Sequence, residues 1–150
     1  MLKKSFVHYL TKVLVDIMFY VGILCCLAVP MLVNYVRVFF GYDDFVLIPL
    51  MIILFTSGVC ALYILFNLQK IFKTLVGGNT FIAENVSCLR KMAVASFLIA
   101  LIYIAKCTFW FTIATAIIII MFVIAGLFCL TLKDVFKQAI AYKEESDFTV

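Results

Sequence analysis

Few residue types in this chain can do chemistry, and their spacing limits what that chemistry could be. The six cysteines are Cys25, Cys26, Cys60, Cys88, Cys107 and Cys129. Thiol oxidoreductases need paired cysteines, typically Cys-x-x-Cys, and the chain has no such motif. The six read as small apolar packing residues. His8 is the single histidine, and no cluster of thiols or carboxylates accompanies it, whereas zinc takes three or four protein ligands. No nucleophile–base pair and no phosphate-binding loop occurs. The expectation is therefore no catalytic site, no metal and no cofactor. Asp16 is the one acid near the interior of an apolar segment, where an ionisable group is a candidate for proton or ion movement. Lys12, one turn earlier, offers it an ion pair at i, i+4. Arg37, with Asp43 and Asp44 nearby, reads as a surface pair.

The elements that hold these residues follow from composition. Of 150 residues, 67% are hydrophobic and 13% are charged, about half the charge of a soluble domain. A water-soluble globule of this composition would expose large apolar patches. A soluble enzyme, a disordered chain and a free nucleic-acid-binding protein are excluded, and an integral membrane protein remains. A helix crossing a hydrocarbon core of about 30 Å needs about 20 mostly apolar residues. Four segments qualify: residues 17–36, 45–66, 92–105 and 112–132. The third is short, but residues 92–132 together suit two crossings with almost no loop between them. The sequence predicts a tight hairpin around Lys106–Phe111, with Lys106 snorkelling and Trp110 in the interfacial aromatic belt. The fold class is all-α: a four-helix transmembrane bundle forming one domain over residues 1–150. Gly22, Gly58 and Gly126 permit close helix contacts, and Pro30 should bend the first span.

Charge placement orients the bundle. Lys3, Lys4, Lys12, Lys70, Lys73, Arg90, Lys91, Lys133, Lys137 and Lys143 fall on one side, which leaves Arg37 and Lys106, of twelve basic residues in all, on the other. Basic residues near the ends of spans stay cytoplasmic. Residues 1–12, 67–91 and 133–150 are therefore expected in the cytoplasm, with both termini inside the cell membrane.

The 67–91 connection and the tail carry the remaining specificity. Leu68, Ile71, Phe72, Leu75 and Val76 share one helix face, with Lys70, Lys73 and Thr74 away from it. Gly77-Gly78 should end that helix. Asn79 or Thr80 is the expected N-cap of the next, which places Glu84 near the positive end of its dipole and runs on through Val86, Leu89 and Met92 into the third span. In the tail, Phe136, Ala139 and Ile140 share a face before the sequence turns acidic at Glu144, Glu145 and Asp147. Acids are held off an anionic leaflet, so the tip is available to a protein partner.

Two segments carry a family resemblance. One is Ile71-Phe72-Lys73-Thr74-Leu75 followed by Gly78-Asn79-Thr80-Phe81, Glu84-Asn85-Val86 and Leu89-Arg90. The other is Val135-Phe136 and the run from Lys143 to Val150. Together with the four-span layout they resemble the bacterial family of small four-pass membrane proteins known as domain of unknown function 2975. The chain departs from that pattern at Thr80, where proline is usual, and at Ser146 and Phe148. The resemblance implies no established activity. It also implies a frequent gene neighbour, a small helix-turn-helix regulator of the Cro type.

The expected function is that of a non-enzymatic signalling or regulatory membrane protein. It would bind a cytoplasmic partner, with that DNA-binding regulator as the candidate, and would not itself touch nucleic acid. The candidate contact residues are Phe81, Glu84, Asn85 and Arg90 in the connection and Glu145, Asp147 and Thr149 in the tail. Against this stands a purely structural reading, in which connection and tail dock on each other to cap the bundle and Arg90 pairs with Asp147. A third reading is a small transport or immunity protein acting within the bilayer through Asp16.

Overall fold

The computed structural model describes the backbone of residues 2–148 and the side chains of residues 6–148. Four long helices follow one another: α1 (Leu2–Phe40), α2 (Asp44–Val76), α3 (Ala83–Phe109) and α4 (Ile113–Phe148). No strand occurs among the described residues, and each helix is long and apolar enough to cross a membrane. The apolar runs set the spans, but the helices continue past them. At about 1.5 Å per residue, the 39 residues of α1 and the 36 of α4 far exceed the roughly 30 Å of a hydrocarbon core. The polar flanks keep good helix formers and lack a breaker, so the helix has no local reason to stop.

It stops where the chain supplies one. Gly41, at φ +65°, and Gly78, at φ +82°, take the left-handed conformation that closes α1 and α2. At the second of these, Gly77 N–H donates to the Lys73 carbonyl at 3.2 Å and Asn79 N–H to the Thr74 carbonyl at 3.1 Å. The Gly77-Gly78 stop is where the sequence predicts it. The start of α3 is not. Its N-cap is Ile82, in an extended conformation and without a side-chain cap bond, rather than Asn79 or Thr80. Residues 79–82 stay outside the helix because Phe81 packs on α4 and the Thr80 carbonyl accepts from Asn85 Nδ2 at 2.6 Å and from the Ile82 N–H at 3.1 Å. Glu84 does fall in the first turn of α3, which runs unbroken into its apolar segment. The hairpin between α3 and α4 turns over residues 110–112, with the Thr115 N–H donating to Thr112 Oγ1 at 3.3 Å as an N-cap. Pro30 lies inside an uninterrupted α1.

The four-helix bundle is assembled in series: α1 packs on α2, α2 on α3 and α3 on α4. Helix α3 lies between two neighbours, and small residues there (Ala93, Ala95, Ser96, Ala100) are buried, which lets backbones approach closely. Glycines do the same at the other contacts. A Cβ on Gly22 would lie 2.8 Å from Leu62, on Gly58 2.7 Å from Cys26 Sγ, and on Gly126 2.8 Å from the Phe97 ring. The main core gathers Ile71, Cys88, Leu89, Met92, Ala93 and Cys129 at the end of the bundle that holds the α2–α3 connection. The outward faces, by contrast, expose large apolar side chains such as Leu27, Met31, Ile117 and Ile124, a surface suited to lipid rather than water.

Candidate functional site

The α2–α3 connection and the α4 extension meet at one end of the bundle. Phe81, in the connection, places its ring edge to face on Phe136 of α4, with centroids 5.2 Å apart. Phe81 keeps about half its surface (45% exposed), whereas Phe136 is half-buried against the core. Beneath them, Asn85 is 1% exposed. Its Nδ2 donates to Thr74 Oγ1 at 2.7 Å and to the Thr80 carbonyl at 2.6 Å, while Thr74 Oγ1 donates to the Ile71 carbonyl at 2.7 Å. One amide thus ties the last turn of α2, the connection and the first turn of α3. Because the Thr80 carbonyl can only accept, the amide orientation is determined by the network. Asn85 Oδ1 is left buried with no partner, a cost accepted to hold the turn. Thr74, which periodicity sets away from the apolar stripe of α2, is turned toward Asn85 by this network.

The candidate contact residues therefore divide. Asn85 is spent inside the cap, and Phe81 joins connection to tail. Glu84, Arg90, Glu145 and Asp147 are exposed, while Thr149 lies outside the described residues. Arg90 and Asp147 do not pair; the ion pairs among the described residues are Arg37–Asp44 and Lys133–Asp134. Arg90 instead stands at the mouth of a groove between α2 and α3. The Cys88 thiol, 2% exposed, is pushed up by burial, with Lys70 and Lys91 lowering it in part and Glu84 raising it further. All six cysteines are free thiols.

Asp16 has a different partner from the one its spacing suggests. Its Oδ1 accepts from Gln69 Nε2 of α2 at 2.8 Å, and no ion pair with Lys12 forms. The reason is geometric: Asp16 is half-buried on the side of α1 that packs on α2, so the inter-helix amide is nearer than the lysine. Gln69 went unnoticed in the sequence, because only knowledge of the α1–α2 register could reveal it. Two more polar contacts link helices within the apolar region: Ser57 Oγ and Tyr103 Oη lie 3.3 Å apart between α2 and α3, and Lys106 Nζ donates to buried Thr115 Oγ1 at 3.2 Å across the α3–α4 hairpin. At the far end, Arg37 bridges Asn34 Oδ1 at 2.7 Å and Asp44 Oδ1 at 3.2 Å. Among the described residues, no three His, Cys, Asp or Glu side chains converge on a metal-sized site.

Four apolar helices in series, with an ordered polar cap at one end, define a multi-pass membrane protein. The model of the family described as "Protein of unknown function (DUF2975)" matches residues 42–150. The chain belongs to that family, and the matched region starts after α1. It includes the connection, the cap and the whole of α4. No curated protein and no solved structure matches the chain.

Proposed function

We propose that this chain is a non-enzymatic regulatory protein of the cell membrane, with both termini in the cytoplasm, and that its α4 extension binds a cytoplasmic protein. The observation that supports this most is the course of α4. It continues as helix to Phe148, and residues 141–148 are all exposed, including Tyr142 at 72% and Phe148 at 91%. An exposed helix with aromatic side chains among Lys143, Glu144 and Asp147 suits helix-in-groove recognition. Glu84, in the first turn of α3, is exposed as well. The basic bias of the residues flanking the spans supports the cytoplasmic placement.

The candidate partner is a small helix-turn-helix regulator of the Cro type, the gene neighbour that the family resemblance implies. Co-expression and detergent co-purification test it: the full chain should retain the regulator, and a chain lacking residues 144–150 should lose it. Retention by the shortened chain would show that the tail is not the contact. The bilayer-acting alternative rests on Asp16, whose contact is with the neutral side chain of Gln69, and no second observation favours it.

A further inference from the structure

A groove of about 410 Å³ lies between α2 and α3 on the outer surface of the bundle. Its walls are apolar, formed by Val59 and Tyr63 of α2 and by Val94 and Leu98 of α3, and its charged end is formed by Arg90 and Lys91. Both cations are exposed, and neither forms an ion pair or a hydrogen bond with another described residue. Met92 opens the unbroken apolar stretch of α3, so the two cations stand where hydrocarbon gives way to headgroups. From them the groove descends past Val94 to Leu98, about 12 Å along the helix.

We propose that this groove binds an anionic phospholipid, with an acyl chain along the apolar walls and the phosphate against the Arg90 guanidinium and the Lys91 ammonium. Charge complementarity selects the occupant. A guanidinium offers a phosphate two parallel N–H donors and a lysine adds a point charge, while basic pockets between membrane helices recognise anionic headgroups. A zwitterionic lipid would bring a cation of its own to the same place. The assignment is independent of the partner on α4 and of which way the bundle faces.

The test uses the full chain in nanodiscs of phosphatidylcholine mixed with phosphatidylglycerol, followed by native mass spectrometry of the released protein. The unmodified chain is expected to retain phosphatidylglycerol over phosphatidylcholine. Replacing both cations, Arg90→Gln with Lys91→Gln, should weaken that retention roughly 30-fold, the loss of two cation–headgroup contacts. Val94→Trp fills the groove while leaving both cations, and should also abolish retention. Lys137→Gln with Lys143→Gln removes equal charge from α4 and should leave phosphatidylglycerol retention as it is in the unmodified chain. All five positions are exposed, so the fold should survive, as circular dichroism would show. The proposal is overturned if the two lipids are retained equally, if retention survives either groove variant, if the α4 control loses as much, or if a second copy of the chain is held in place of lipid.

Discussion

The rings of Phe81 and Phe136 meet with their planes inclined at 76° and their centroids 5.2 Å apart. This contact joins the α2–α3 connection to the point where α4 leaves its apolar stretch. It makes the direction of the α4 extension depend on the conformation of a six-residue connection, residues 77–82, that is itself held by Asn85.

Removing one ring should therefore loosen the tail without disturbing the spans. Phe81→Ala loses an edge-to-face pair worth about 0.5–1.5 kcal/mol beyond its buried area. Hydrogen exchange in nanodiscs is expected to quicken over residues 133–148 and to stay unchanged in α1. An unchanged tail would mean that α4 is positioned by its own packing alone.

The cap amide should matter more than the aromatic contact. Asn85→Ala removes two hydrogen bonds and leaves the Thr80 carbonyl with the Ile82 N–H as its donor, so the loss should be about 1–3 kcal/mol, the net worth of two hydrogen bonds. Unfolding in mixed micelles would measure this. A loss well below that range would indicate that water replaces the amide.

These two residues also mark where the sequence stops being informative. The apolar runs and the Gly77-Gly78 stop are local signals, and they appear in the fold where their spacing puts them, whereas the α3–α4 turn falls at residues 110–112 rather than around Lys106–Phe111 because α3 continues to Phe109. The inward turn of Thr74 and the burial of Asn85 depend on how α2 meets α3, which no local pattern encodes. The Asp16–Gln69 contact spans 53 positions, so the nearer Lys12 looked like the partner. The helices outrun their hydropathy-defined spans because hydropathy reports where lipid is, not where helix ends. Ile82 is the N-cap of α3 because tertiary contacts of Thr80 and Phe81 override the capping preference of Asn79.

The close approach of α3 and α4 gives a test of packing. A Cβ at position 126 would lie 2.8 Å from two ring atoms of Phe97, so Gly126→Ala should destabilise the bundle by about 1–3 kcal/mol through overpacking. Combining it with Phe97→Leu should recover part of the loss, since the smaller side chain vacates the space. Strictly additive losses would show that the two positions do not meet.

Asp16 separates a structural role from a transport role. Asp16→Asn keeps an acceptor for Gln69 Nε2 and should be close to neutral. Asp16→Ala should cost about 0.5–1.5 kcal/mol, the net worth of one hydrogen bond. Neither should alter proton flux into vesicles. A flux present in the unmodified chain and lost in Asp16→Asn would favour the bilayer-acting function instead.

The proposed partner recognition by α4 depends on which compartment its end occupies. A fluorescent protein that matures only in the cytoplasm, fused after Val150 and compared with a phosphatase active only outside the cell at the same position, reads this out directly. The account predicts a fluorescent first fusion and an inactive second. An active phosphatase with a dark fluorescent fusion would place α4 on the external face and contradict it.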